Sequence, residues 1–389
     1  MIATAQKKTI LIAGISLVII LIGVLIWYAS PTVRDALFGE AIRGGSRAFS
    51  DQACIPAQWK YFVVGGAEQN PSTGRSESTF FSSDGTRWQR ESMRAFSQRT
   101  LLDVAVSDVE RAGRYIVWAV GDRVIHKKYS RWQGAMPDTH DSQVGSFTQN
   151  NFYAVWGDPT YDAVWIASGH QEGSAAPDGL LSHESNGGWR SYPTNGPAYG
   201  LWGTSRTDLW AVGEGFILHY AGQQWSPVIE DFSSALFAVW GTSPQKVWAV
   251  GESGTILSYD GVRWLPQASN TLKDLHALWG SSSSNVWAVG DEGTVLHYDG
   301  TSWAIQPVPS NLLPESLSLE DVFGSSARDV FVVGENGLLL HFDGRSWELQ
   351  NAGTTVNLKA GVAVLQRSDS CGERSRCVTR RCVPQPVVD

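Results

Sequence analysis

Five side chains on two neighbouring loops, Asp138, His140, Asp141, His170 and Glu172, are of the types that bind a transition metal or work as an acid–base set. Their segments are rich in Gly, Ser, Asp and His, and such loops also gather these residues with no ligand to hold. Arg75 and Glu77, on a third enlarged loop, add charge that a partner could meet. No nucleophile elbow, phosphate loop or His-Glu-x-x-His occurs, so no catalytic residue, metal site or cofactor is assigned. Five of the eight histidines, His126, His183, His219, His297 and His341, each stand six residues before a tryptophan, a place that Ser82 and Ser258 also fill. A metal needs converging ligands, whereas a position repeated around an axis keeps its members apart, so these histidines read as hydrogen-bonded architecture. Five acids, Asp122, Glu214, Glu252, Asp291 and Glu335, each follow a Val-Gly pair. They are either solvated turn tips or a negative rim that steers a basic partner.

The tryptophans behind that count are Trp88, Trp132, Trp189, Trp225, Trp264, Trp303 and Trp347, each preceded by a glycine-containing turn or short polar loop. They recur at a period of about 40, the signature of a β-propeller. The clearest unit runs Leu236 to Gly241, Lys246 to Gly251, Thr255 to Gly261 and Val262 to Trp264, four short β-branched and aromatic runs separated by turns. These are strands A to D, from the axis outward. The second-strand anchors are Phe62, Trp118, Trp165, Trp210, Trp248, Trp287 and Phe331. The first-strand anchors are Ala105, Trp156, Trp202, Trp240, Trp279 and Phe323, which leaves the first unit without an innermost strand. Val362 follows Trp347 at the spacing by which Trp240 follows Trp225. Leu358 to Leu365 is therefore expected to supply the missing strand and leave no free sheet edge. The reading is an all-β chain: a seven-bladed β-propeller with a split first blade, preceded by one N-terminal transmembrane helix.

The unit endings Asp260-Gly-Val-Arg-Trp264, Asp299-Gly-Thr-Ser-Trp303 and Asp343-Gly-Arg-Ser-Trp347, with Ser82-Ser-Asp-Gly-Thr-Arg-Trp88, resemble the Asp-box hairpins of sialidase-type propellers. Similar tryptophan-rich repeats occur in photosystem assembly factors and in bacterial exported propellers. The resemblance implies the fold and not an activity. The Arg-Ile-Pro motif of sialidases is missing, as are the Gly-His and Trp-Asp signatures of WD repeats, although the units are WD-like in length and strand order.

Measured against this repeat, the turn from strand B to strand C is enlarged in units one and three. The connection from strand D to the next strand A is enlarged between units two and three and between units six and seven. All four expansions belong to one end of the antiparallel meander, and three crowd blades one to three. Insertions gathered on one face of a repeat protein often mark its binding surface. The stretch Ser107 to Arg114 is a counterexample at the opposite end.

From Thr9 to Ala29 no residue is charged, and Lys7 and Lys8 precede the run. That length spans a bilayer, and the lysines place the N-terminus in the cytoplasm, with a cleaved signal peptide as the alternative. Cys54, Cys371, Cys377 and Cys382 flank the repeats, and an even count outside the cytoplasm suggests two disulfides, with zinc or free thiols as rivals. The net charge of −8 argues against nucleic acid. The expected organisation is a cytoplasmic segment 1–8, a signal-anchor helix 9–29, a tether 30–51, a propeller 52–366 and a cysteine-containing tail 367–389. The expected function is a scaffold for protein interaction or assembly, in the cytoplasmic (inner) membrane with the propeller facing the periplasm or cell exterior. The partner would be an envelope protein or a glycan, and the alternative is a glycan-binding or glycan-processing propeller.

Overall fold

Each Val-Trp-Ala-Val-Gly run is a strand buried along almost its whole length, as in Lys246–Gly251 and Asn285–Gly290. A continuous apolar run of strand length is what a sheet covered on both faces requires. The computed structural model describes residues 58–366 apart from 70–73, 75, 92–98, 110–113, 130–149, 171–177, 185–187, 231 and 315, together with 375–378 and 381–384. The expected helix at 9–29 and the tether lie outside the described residues.

Seven antiparallel sheets follow one another. Blade two holds Leu101–Val109, Arg114–Gly121 and Val124–Tyr129 as strands A to C, and the segment with Trp132 lies outside the described residues. Blade three is Asn150–Gly157, Ala163–His170, Gly179–Glu184 and Gly188–Pro193. Blade four is Ala198–Ser205, Asp208–Gly213, Ile217–Tyr220 and Trp225–Ile229. Blade five is Leu236–Ser243, Lys246–Gly251, Ile256–Tyr259 and Trp264–Gln267. Blade six is Leu275–Ser282, Asn285–Gly290, Val295–Tyr298 and Trp303–Ile305. Blade seven is Leu319–Ser326, Asp329–Gly334, Leu339–Phe342 and Trp347–Leu349.

Blade one is split as expected. Its strands B to D are Gln58–Gln69, Ser76–Ser83 and Trp88–Arg90, and its strand A is Leu358–Gln366. Phe62 pairs with Val362, the place that Trp248 and Trp240 share in blade five. The A strands touch their neighbours in an unbroken circuit, blade seven to one and one to two included. Closure gives blade one its innermost strand, with Leu358–Gln366 paired along the inner edge of Gln58–Gln69.

Two aromatic rules hold the blades together. The closing tryptophan of one blade meets the strand-B ring of the preceding blade edge-on: Trp225 on Trp165 at 5.4 Å, Trp264 on Trp210 at 5.3 Å, Trp347 on Trp287 at 5.8 Å and Trp88 on Phe331 at 5.8 Å. Edge-to-face rings at such separations add roughly 0.5–1.5 kcal/mol beyond their burial. The outer edge of the strand-A ring abuts a glycine of the next blade: a Cβ on Gly241, Gly280 or Gly324 would stand 2.6–2.9 Å from Trp202, Trp240 or Trp279 respectively. That contact explains why Trp-Gly recurs.

The Asp-Gly turns are built by their carboxylates. Asp260, Asp299 and Asp343 each accept from the two backbone N–H groups that follow the turn glycine. Gly261, Gly300 and Gly344 sit at φ +98°, +98° and +90°, which side chains resist.

Candidate functional site

The Val-Gly strand ends put the five acids at one corresponding place. The backbone N–H groups of Asp122, Glu214, Glu252, Asp291 and Glu335 donate to the carbonyls of Thr100, Pro197, Ala235, Asp274 and Ser318, each the residue before strand A of its own blade. The acid is followed by a left-handed residue: Arg123, Gly215, Ser253, Glu292 and Asn336 have φ of +54°, +79°, +52°, +53° and +56°. These tight turns share one end of the meander with the D–A connections.

The carboxylates bind their surroundings to different extents. Glu252 accepts from the N–H of Ala235 at 2.9 Å, and Glu335 accepts from that of Ser318 at 3.1 Å. Asp291 accepts from the Ser318 hydroxyl at 2.9 Å and pairs with His276 Nε2 at 2.8 Å. Burial works to raise Asp291, but the His276 and Ser318 hydrogen bonds outweigh it and hold the carboxyl below its ordinary range. Glu214 is exposed.

Inside this rim the A strands carry a second ring of positions, three residues before each anchor: Leu102, Tyr153, Tyr199, Phe237, His276, Glu320 and Lys359. In most blades this position coincides with a β-bulge, as between Leu236 and Ala238. An extra residue there re-aims a side chain. In blades three to six the rings run on from one to the next. Tyr153 meets Tyr199 at 5.2 Å, Tyr199 meets Phe237 at 5.8 Å and Phe237 meets His276 at 5.7 Å. In blades seven and one the same position holds an ion pair, Lys359 with Glu320. One residue deeper are Asp103 and Asp321, where the other blades have Ala or Gly. Asp103 accepts from the N–H groups of Val104 and Val155 at 2.7 Å each, and Asp321 from those of Val322 and Gly361 at 2.8 Å each. Burial pushes Asp103 up to about 7, and burial with the nearby Asp103 charge pushes Asp321 well above its ordinary range.

The loop candidates are placed less completely. His170 ends strand B of blade three, exposed, with Nδ1 2.7 Å from Asp178. Arg75, Asp138, His140, Asp141 and Glu172 lie outside the described residues. Glu77 is on no loop tip: it is buried in strand C opposite Glu68, because the enlargement in blade one is a longer hairpin, paired out to Gln69 and Ser76. The enlargement between blades six and seven folds down as packing, burying Leu313 and bonding the Gly293 N–H to Leu317 at 2.8 Å. Cys54 and Cys371 lie outside the described residues, and Cys377 and Cys382 stand on short strands, Ser375–Val378 and Arg381–Pro384. Among the described residues no three His, Cys, Asp or Glu side chains converge as metal ligands.

The histidine column needs correction. His219, His297 and His341 face Trp210, Trp287 and Phe331 in register, with rings 4.3–4.4 Å apart. His219 and His341 bond Asp208 and Asp329 at 2.7 and 2.8 Å, and His297 contacts Asn285 at 3.0 Å. In blade three, however, Ser182 faces Trp165 and His183 pairs with Trp189, because the C–D hairpin is one residue longer. In blade two Lys127 faces Trp118, with its ammonium 4.6 Å from the ring centroid, and His126 belongs to the other face. A one-residue slip exchanges every side chain between faces.

No family model and no curated protein matches this chain. Solved structures do. YCF48 from Cyanidioschyzon merolae is 14% identical with a TM-score of 0.52, over 69% of this chain and 93% of that one. A structure of YCF48 bound to D1 peptide gives 14% and 0.52, over 75% and 98%. The WD40 propeller domain of Doa1 gives 11% and 0.52, over 77% and 99%. What they share with this chain is the fold. The Doa1 likeness arises without WD-repeat signatures in this sequence.

Proposed function

We propose that this protein is a non-enzymatic interaction platform: a propeller, anchored by the apolar segment 9–29 and held outside the cytoplasmic membrane, that assembles or scaffolds an envelope complex. The observation that carries this reading is the build of one face. Five carboxylates in corresponding turns surround an arc of aromatic rings at the inner edge of the blades. Such a face combines carboxylates and aromatic rings, which suits recognition of a protein segment. A propeller of this fold, YCF48, binds a D1 peptide, which makes a protein segment the natural class of partner. The tether of 30–51 reaches at most about 3.3–3.6 Å per residue, so the platform works close to its own membrane.

Crosslinking followed by affinity capture of the membrane-bound chain tests this, with and without shortening of 67–78, 133–149 and 170–179. Stable partners lost on shortening support the reading. Turnover of a glycan by the same preparation overturns it.

A further inference from the structure

Four ring-bearing side chains in consecutive blades, each three residues before its strand anchor, are more than the packing of blade on blade demands. The tryptophan ladders already do that work. Tyr153, Tyr199, Phe237 and His276 are each only half-buried, and they form one continuous arc on the innermost strands. The turns around the arc's centre, 193–198, 213–217, 229–236 and 251–256, carry Glu214, Glu230 and Glu252 among their described residues, and no lysine or arginine. Among the described residues, the cations of this face flank the arc's centre: Lys273 is paired with Glu292, Lys359 with Glu320 and Arg99 with the carbonyl of Asp122, and Arg123 is exposed on the turn of blade two.

Aromatic faces attract a cation within about 6 Å of the ring centroid, and flanking carboxylates strengthen that attraction. A neutral apolar ligand would gain nothing from the acids, and an anionic one would be repelled by them. The surroundings of Tyr199 report this local field. Burial first, and then the neighbouring Glu214, Tyr153, Asp178 and Glu252, lift its hydroxyl to about 12.

We infer that the arc centred on Tyr199 and Phe237, with Glu214 and Glu252 behind it, seats a lysine or arginine side chain from an extended segment of the partner protein. This deepens the platform reading and rests on it. The cation docks on the rings of blades three to five and meets the carboxylates of blades four and five. The arm of the face in blades seven and one, closed by the Lys359–Glu320 pair, is left out.

The test is selection of a random dodecapeptide library against the full chain in detergent micelles, followed by affinities of the enriched peptides. Enriched peptides should share one lysine or arginine, and its replacement by citrulline or norleucine should weaken binding about tenfold. Phe237→Leu and Tyr199→Leu keep an apolar side chain and remove the π face, so each should weaken binding about fivefold while the protein still unfolds cooperatively well above the assay temperature. Glu214→Gln with Glu252→Gln should flatten the salt dependence. An empty selection, peptides lacking a cation, binding indifferent to citrulline or to Phe237→Leu, or glycan binding that depends on Tyr199 would each overturn the inference. A captured partner whose crosslinks avoid blades three to five would leave the platform standing and remove this site alone.

Discussion

The hydroxyl of Tyr61, in strand B of blade one, donates a 2.5 Å hydrogen bond to Asp329 Oδ2 at the start of strand B of blade seven. Asp329 also pairs with His341 Nε2 at 2.8 Å and accepts from the Ser325 hydroxyl. Burial works to raise Asp329, and these three hydrogen bonds hold it low instead. Burial and the bond to Asp329 in turn push the Tyr61 hydroxyl above its ordinary range. The earliest described strand is thus tied to the last blade by a charge-assisted bond, beside the backbone seam that Leu358–Gln366 provides.

Tyr61→Phe removes that bond and leaves Asp329 two partners. A cost of about 1–2 kcal/mol in urea unfolding is expected, with Asp329→Ala costing more because His341 loses its partner too. Equal stability of wild type and Tyr61→Phe would show that the bond contributes nothing.

The strand that closes the ring is gated by Gly361, where a Cβ would lie 2.1 Å from the Phe323 ring. Gly361→Ala should cost roughly 1–3 kcal/mol by overpacking. Phe323→Leu should recover part of that loss, so that a double-mutant cycle gives a favourable coupling between the two changes.

Asp103 and Asp321 give the protein an acid-side stability slope. Their folded pKa values lie above the unfolded value, Asp103 at about 7 against 3.8. Between those values the folded state binds more protons than the unfolded one. Stability should therefore fall as pH rises from about 4 to 7, by on the order of 1 kcal/mol per pH unit for Asp103, and Asp321 works in the same direction. His297, held low by burial, works in the opposite direction as pH falls below 6.5. The decisive quantity is the difference between wild type and Asp103→Asn in denaturant melts at stepped pH: the variant should lose part of the slope.

The ladder of closing tryptophans predicts a contrast between buried and exposed positions. Trp347→Ala removes a buried ring set edge-on to Trp287 and should cost roughly 3–5 kcal/mol. Val262→Ala, at an exposed turn tip, should stay within about 0.5 kcal/mol of wild type.

The blade count and the split first blade were legible because Trp, Gly and the strand anchors keep a constant spacing, and Phe62 meets Val362 where that spacing puts it. The same ruler misled at His126 and His183. Counting back from a tryptophan assumes a hairpin of constant length, and blade three has one residue more. The aromatic arc was in the sequence as a ring three residues before four successive anchors. It stayed hidden because Tyr153, Tyr199, Phe237 and His276 differ in type, and a bulge hides which side such a residue takes. Asp103 and Asp321 gave no signal, since a carboxylate bonding the next blade's backbone looks in sequence like any strand-edge acid. Glu77 looked like a loop residue because a longer hairpin and a longer loop add the same number of residues.

The most direct measurement is site-specific photo-crosslinking in the membrane-bound chain. One photoreactive residue replaces Asn195, exposed in the turn between blades three and four, and another replaces Val262, exposed at the opposite end of blade five. The expected result is a partner adduct from position 195, lost when Glu214 and Glu252 are both changed to Lys, and none from position 262. Adducts from 262 with none from 195 would contradict the account.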